Sequence, residues 1–309
     1  MPQDARPLGG ATPLVMRGFG PADYGCLVLL AALWGGSFML VKTALPTIGP
    51  LTIVVARLVL GAVALFMVMR LRGLRLPVGL AGWTPFLVFG AVGNLAPFTL
   101  IAWGQQHVPS AVAAILMAAM PLFTLVLARI VRPAENPVTA GRIAGIALGF
   151  SGVVVLVGPA ALTQAGGGIG EMAILGAALC YAIASLYAER VRHVPPLVSA
   201  TATLTSGAIL ALPLALILEQ PWTRAPALDA VLAVGLLGVA CTGLAYLLFY
   251  RLMARGGAVL VALNNYLIPA FGVMWGMLLL SEEPSLNAFI ALGLILCAIT
   301  VANRRGRKR

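Results

Sequence analysis

The chain has 309 residues, of which 61% are hydrophobic and only 9% charged, with a mean hydropathy of +1.02. A water-soluble domain carries charge on roughly a quarter of its residues, so that class is excluded. The net charge of +11 does not mark a nucleic-acid binder either, because the basic residues are scattered in short loops between apolar runs.

Residues 1–21 are polar, rich in Pro and Gly, and lack a short apolar core ahead of a cleavage site. They read as a disordered cytoplasmic tail rather than a signal peptide. Apolar runs of about 20 residues follow, the length that crosses about 30 Å of hydrocarbon. Backbone groups inside lipid must be satisfied within their own segment, so each run is expected to be a helix. The ten spans read as Tyr24 to Ala44, Leu51 to Leu71, Trp83 to Trp103, Ser110 to Ile130 and Thr139 to Val157. After the glycines 166–168 come Glu171 to Tyr187, Leu197 to Leu218, Ala227 to Leu252, Ala258 to Leu280 and Leu286 to Ala302. The fold class is thus all-α and polytopic.

The basic residues orient these spans. Arg6, Arg17, Arg70, Arg72, Arg75, Arg129, Arg132, Arg142, Arg190, Arg192, Arg251, Arg255 and the five basic residues of the tail 304–309 fall on one side, 17 of the 20 Lys and Arg. Only Arg224 lies in an opposite loop, with Lys42 near a helix end and Arg57 inside the second span. Basic loops stay cytoplasmic, so both termini are expected inside. A wrong span count would scramble this segregation from the error onward.

The chain also repeats. An offset of 148 residues superimposes Gly90 on Gly238, Pro121 on Pro269, Phe123 on Phe271, Glu135 on Glu283, Ala140 on Ala288 and Gly145 on Gly293. Earlier in each half an offset of 146 aligns Leu29-x-Ala31-Ala32-Leu33 with Leu175-x-Ala177-Ala178-Leu179. Five spans per copy is an odd number, so the second copy enters the membrane inverted. The expected organisation is a first repeat over 22–158, a periplasmic linker over 159–170, an inverted second repeat over 171–303 and the basic tail. Inverted repeats suit alternating access about a midplane site.

Candidate binding groups are polar and aromatic side chains at mid-span. Asn94, Phe98, Ile101 and Gln105 share one face of the third span. Thr242, Tyr246 and Phe249 form a similar stripe in the eighth, with Tyr250 beside it. Trp34 pairs with Ser37 in the first, and Tyr181 with Ser185 in the sixth. Asn264 and Asn265 sit a turn before Pro269, whose missing amide leaves a carbonyl free. A buried amide in lipid needs another helix, water or substrate as partner, so both asparagines fit either helix glue or a substrate contact. Trp34 and Tyr246 lie too deep for the interfacial belts that account for Tyr24, Trp83 and Trp103. The expected substrate-binding set is Trp34, Ser37, Asn94, Phe98, Tyr181, Tyr246, Asn264 and Asn265.

Arg57 lies about 10 Å into its helix at about 1.5 Å per residue. A structural or gating role is assigned to it ahead of direct substrate contact, with Lys42 a weaker instance of the same question. His107 and His193 sit in loops without a carboxylate or cysteine at useful spacing, and the four cysteines lie in apolar runs. No metal, cofactor or disulfide frame is expected. Glu282-Glu283 is the only adjacent acidic pair and has no His or Asp near it, so an intramembrane enzyme is not expected. Gly141-x-x-x-Gly145-x-x-x-Gly149 in the fifth span allows close helix approach, either within a monomer or at a homodimer seam.

Trp34-Gly35-Gly36-Ser37-Phe38, Ala56-Arg57, the small-residue run Ala111 to Pro121, its counterpart Ala258 to Pro269 and the turn Glu282-Glu283-Pro284 resemble the EamA-type branch of the drug/metabolite transporter superfamily. The resemblance covers about residues 22–303. It implies a bacterial inner-membrane, multi-pass exporter of amino acids, related metabolites or drugs, with a central cavity between the halves. In function the chain looks most like YddG-type aromatic amino-acid exporters. The related small multidrug exporters switch protons and drug on a carboxylate in their first helix, and here none follows Asp23 in that helix. A neutral or zwitterionic small molecule moved without a midplane carboxylate is therefore expected. A drug or nucleoside-type exporter on the same fold, with or without proton coupling, is the alternative. The other partner is the lipid bilayer.

Overall fold

The structure, a computed structural model, describes residues 20–134, 139–157, 168–191, 193–223 and 225–303, and says nothing of the side chains of residues 256–262 and 303. Expectations that fall on the N-terminal tail, Glu135, Gly166, Gly167, most of the 159–170 linker, Arg192, Arg224 and the basic tail lie outside the described residues.

Ten helical spans run in chain order: α1 (Pro21–Ala44), α2 (Pro50–Leu71), α3 (Gly79–Gly104), α4 (Ser110–Val131), α5 (Ala140–Val157), α6 (Ile169–Tyr187), α7 (Pro196–Leu218), α8 (228–262), α9 (Asn264–Leu280) and α10 (Leu286–Asn303). Eight are long and apolar enough to cross a membrane, and α9 and α10 are shorter apolar helices. Proline stands in the first turn of α1, α2 and α7, where its missing N–H is no loss. Gly73, in the left-handed region at φ +69°, follows the end of α2.

Beyond shifts of a few residues at helix ends, such as the third span starting at Gly79, the structure departs from the expected spans in two places. The eighth helix does not stop at Leu252. It continues through Gly256-Gly257 to Ala262, and the turn falls at Leu263. Each glycine costs only about 1 kcal/mol relative to Ala in a helix, and no proline enforces a stop there. The fourth span breaks at Ala118–Ala119, where both amides bond three residues back, to Ile115 and Leu116. Pro121 explains this, because its ring collides with the carbonyl four residues earlier. Its repeat mate Pro269 lies inside α9 instead.

The packing is two-fold in pattern. Three helix pairs join equivalent spans of the two halves: α2 with α7, α4 with α9 and α5 with α10. The remaining main contacts come as mates: α1 on α9 matches α6 on α4, α2 on α8 matches α7 on α3, and α1 on α8 matches α6 on α3. Leu278, Ile217 and Val154 are among the large apolar side chains left exposed, as a lipid-facing surface requires.

The glycine stripe of α5 is consumed within the chain. A Cβ on Gly145 would lie 2.8 Å from the Ala298 carbonyl, and one on Gly152 would lie 2.9 Å from Ile295, both in α10. Backbone contact this close is what the small residues permit.

Candidate functional site

The third and eighth spans each contain one π-helical segment, Ala91–Leu95 and Val239–Leu244. An extra residue per turn re-aims the side chains there, and such bulges gather at functional sites. They occupy equivalent places in the two repeats: Asn94 and Thr242 stand 148 residues apart, and both are fully buried. Each faces a glycine of the central pair. A Cβ on Gly61 of α2 would meet the Thr242 methyl at 2.7 Å, and one on Gly207 of α7 would meet the Asn94 Cβ at 3.3 Å. Gly61 and Gly207 are themselves related by the offset of 146.

Arg57 sits one turn before Gly61 on α2 and is only 6% exposed. Its Nε and Nη2 lie 3.4 and 3.3 Å from Thr242 Oγ1, long for hydrogen bonds. The Thr242 hydroxyl donates its own proton to the Leu237 carbonyl at 2.8 Å, so its lone pairs face the guanidinium. The Arg57 Cζ stands over the Phe98 ring, 3.7 Å from its centroid. Tyr181, Cys241 and Tyr246 are its electrostatic neighbours. Among the described residues no carboxylate forms an ion pair with Arg57; the pairs seen are Arg132 with Glu189 and Arg255 with Asp23.

Those partners offset the burial of a charge without neutralising it. The effective penalty for desolvating one ion is several kcal/mol. A desolvated cation–π contact returns about 2 kcal/mol or more, and a hydrogen bond from a charged donor about 1.5–3 kcal/mol at good geometry, less at these distances. Among the described residues Arg57 is thus a buried cation with neutral contacts and no anionic partner.

Aromatic rings extend from it on both sides. Phe98 is edge-on to Tyr181 with ring centroids 6.2 Å apart. Tyr246 stands 6.2 Å from Tyr250, Tyr250 stands 5.3 Å from Phe249, and Phe249 stands 5.7 Å from Trp34. Of the residues expected to bind substrate, the structure therefore groups Phe98, Tyr181 and Tyr246 by Arg57, with Asn94 on a π turn of the same span as Phe98, while Trp34 is joined to Tyr246 only through Phe249 and Tyr250.

The others stand apart. Ser37 Oγ donates to the Trp34 carbonyl of its own helix at 2.6 Å. Lys42 Nζ donates to the Gln105 and Val108 carbonyls at 2.6 and 2.9 Å, satisfying the C-terminal end of α3. Gln105, expected on the same stripe as Asn94, gives its amide to the Phe38 carbonyl at 2.8 Å. Asn264 is 1% exposed, and neither its Nδ2 nor its Oδ1 has a partner among the described residues. Asn265 beside it is half-buried. Ser185 is exposed and bonds the Ala182 carbonyl of its own helix.

Sequence reasoning passed over Trp275, whose Nε1 donates to the Ala32 carbonyl at 3.1 Å while its ring lies against Gly36. It also passed over Thr203, whose carbonyl accepts from Asn94 Nδ2 at 3.3 Å and whose buried hydroxyl has no partner among the described residues. The signal for Thr203 was available: the offset of 146 makes it the mate of Arg57.

The two faces are closed differently. On the face where α2 and α4 begin, carboxylates of the second half cap helices of the first. Glu219 accepts from Leu51 N, Thr52 N and Thr52 Oγ1 at 2.8, 2.8 and 2.7 Å. Glu282 accepts from Ser110 N and Ala111 N at 2.7 and 2.9 Å. On the opposite face the halves meet through the part-exposed Arg132–Glu189 pair, beside a groove of about 520 Å³ lined by Leu127, Val131, Ile183 and Tyr187. None of the central residues lines that groove.

Comparison with known proteins agrees with this architecture. The chain is 27% identical over 287 residues to an Escherichia coli K12 protein called uncharacterized inner membrane transporter YedA, covering 90% of this chain and 89% of that one. It is 26% identical over 289 residues to a probable terminal-alkyne amino-acid exporter of Streptantibioticus cattleyicolor, covering 92% and 94%. A crystal structure sharing 20% identity superposes with a TM-score of 0.67 over 93% of this chain and 99% of the other, which speaks to the fold alone. The model of the EamA-like transporter family matches twice, over residues 24–158 and 168–304. A multi-pass helical membrane protein made of two such units, the chain belongs to the EamA-like transporter family.

Proposed function

We propose that this transporter exports small zwitterionic or neutral metabolites, foremost amino acids with apolar or aromatic side chains, across a bacterial inner membrane. Both termini are placed in the cytoplasm by the segregation of basic residues. Trp34, Ser37, Asn94, Phe98, Tyr181, Tyr246, Asn264 and Asn265 remain the proposed binding set, with the ring-lined group around Arg57 at its centre. The observation that carries the reading is this interior of aromatic rings about a buried cation with no paired carboxylate among the described residues. Such a lining suits an apolar side chain and offers cationic drugs no counter-charge. The name of the Streptantibioticus relative, an amino-acid exporter, points the same way. Without a midplane carboxylate switch, a substrate gradient suffices to drive movement.

The test is counterflow of an amino-acid panel in proteoliposomes with no ion gradient imposed. Saturable movement of a few apolar or aromatic amino acids is expected. Movement that begins only when a pH gradient is added overturns the mechanism. Movement of nucleosides or drugs with no amino acid carried overturns the substrate class.

A further inference from the structure

Resting on the reading of the chain as an amino-acid exporter, we propose that Arg57 is the group that recognises the substrate's carboxylate, rather than a gating or purely structural charge. The guanidinium has five N–H donors in a planar fork. Here two of its nitrogens share one neutral hydroxyl at long range, and its Cζ stands over the Phe98 ring. One hydroxyl and a ring face leave most of the five donors over, and a carboxylate is the acceptor that the fork fits bidentately. Among the described residues the protein supplies no such acceptor.

The position suits the role. Arg57 lies on α2 of the first half and faces Thr242 on α8 of the second, so it stands where the halves meet, the seam that alternating access opens to each side in turn. Its repeat mate on α7 is Thr203, a neutral residue. The cation is therefore not duplicated, and one substrate carboxylate satisfies the site. The side chain of that substrate would lie along the rings of Phe98, Tyr181 and Tyr246.

The experiment uses the full-length protein in proteoliposomes loaded with labelled L-phenylalanine, with L-leucine as a second probe. Competition is measured with L-phenylalanine and with L-phenylalaninamide, which has the same ring but no carboxylate. In the wild type the amide is expected to compete on the order of tenfold to a hundredfold more weakly, the range of a charge-assisted hydrogen-bonded pair. R57Q is expected to bring the acid and the amide to similar apparent affinity, and R57K to keep the preference while raising KM for the acid. Equal competition by both ligands in the wild type overturns the proposal and leaves amino-acid export standing. So does an unchanged preference in a folded R57Q. The wild-type competition needs no variant, so misfolding of R57Q does not shelter the proposal. If the wild type moves no amino acid of the panel, the export reading itself fails, and this inference fails with it.

Discussion

Glu219 offers the sharpest perturbation of the transport cycle. It belongs to the second half, yet it supplies the N-terminal cap of α2 in the first, because α2's own N-cap is Gly49, with no side chain to offer. Removing an N-cap costs roughly 0.5–2 kcal/mol, and a charged acceptor sits at the upper end. Taking about 2 kcal/mol for Glu219→Ala shifts the balance between closed and open states of this face by a factor of about 30. The opposite face is held across the halves by the part-exposed Arg132–Glu189 pair, worth about 0–1 kcal/mol, so the asymmetry between faces should narrow or reverse. The assay is labelling of Ser110→Cys, in a background freed of native cysteines, by a membrane-impermeant maleimide. Ser110 is fully buried on the same face but lies at the start of α4, against α9, and not at α2. If the halves part as bodies, Glu219→Ala raises the labelling rate of this remote cysteine on the order of tenfold or more. Glu219→Gln, which keeps one acceptor oxygen, should fall between. An unreactive cysteine in Glu219→Ala, with α2 shown to fray locally, would refute the idea that this carboxylate latches one half to the other.

Other expectations are independent of that latch. Trp34→Ala or Tyr246→Ala should lower transport severalfold with expression and detergent elution unchanged; wild-type rates in both would remove the ring series from the site. Gly145→Leu forces a side chain against the α10 backbone and should destabilise the protein by about 1–3 kcal/mol, read as a lower thermal midpoint in detergent, whereas an unshifted midpoint would mean that α5 and α10 are not in contact. A reporter active only in the cytoplasm, fused at the C-terminus, should be active; silence would break the ten-span orientation.

The membrane class, the ten spans, the duplication and the segregated basic loops were legible in the sequence because each rests on local properties. A run of about 20 apolar residues must form a helix in lipid whatever surrounds it, and an odd number of spans per repeat inverts the second copy. The repeat offset even held the identity of the Arg57–Thr203 and Asn94–Thr242 mates. Which way each helix turns about its own axis depends on its neighbours, and that was decided only in three dimensions. Lys42 and Gln105 share the polarity of the binding candidates, but packing spends them on the end of α3 and on α1. The glycines of α5 permit two kinds of partner, and the chain's own α10 takes the place. The glycine pair at 256–257 marks a turn by composition, while the helix runs on to Ala262. Arg57 shows the division most clearly. Its burial followed from its depth in an apolar span, but the lack of any described carboxylate beside it emerges only when α2, α3 and α8 come together, since charge compensation is a property of neighbours and not of sequence position.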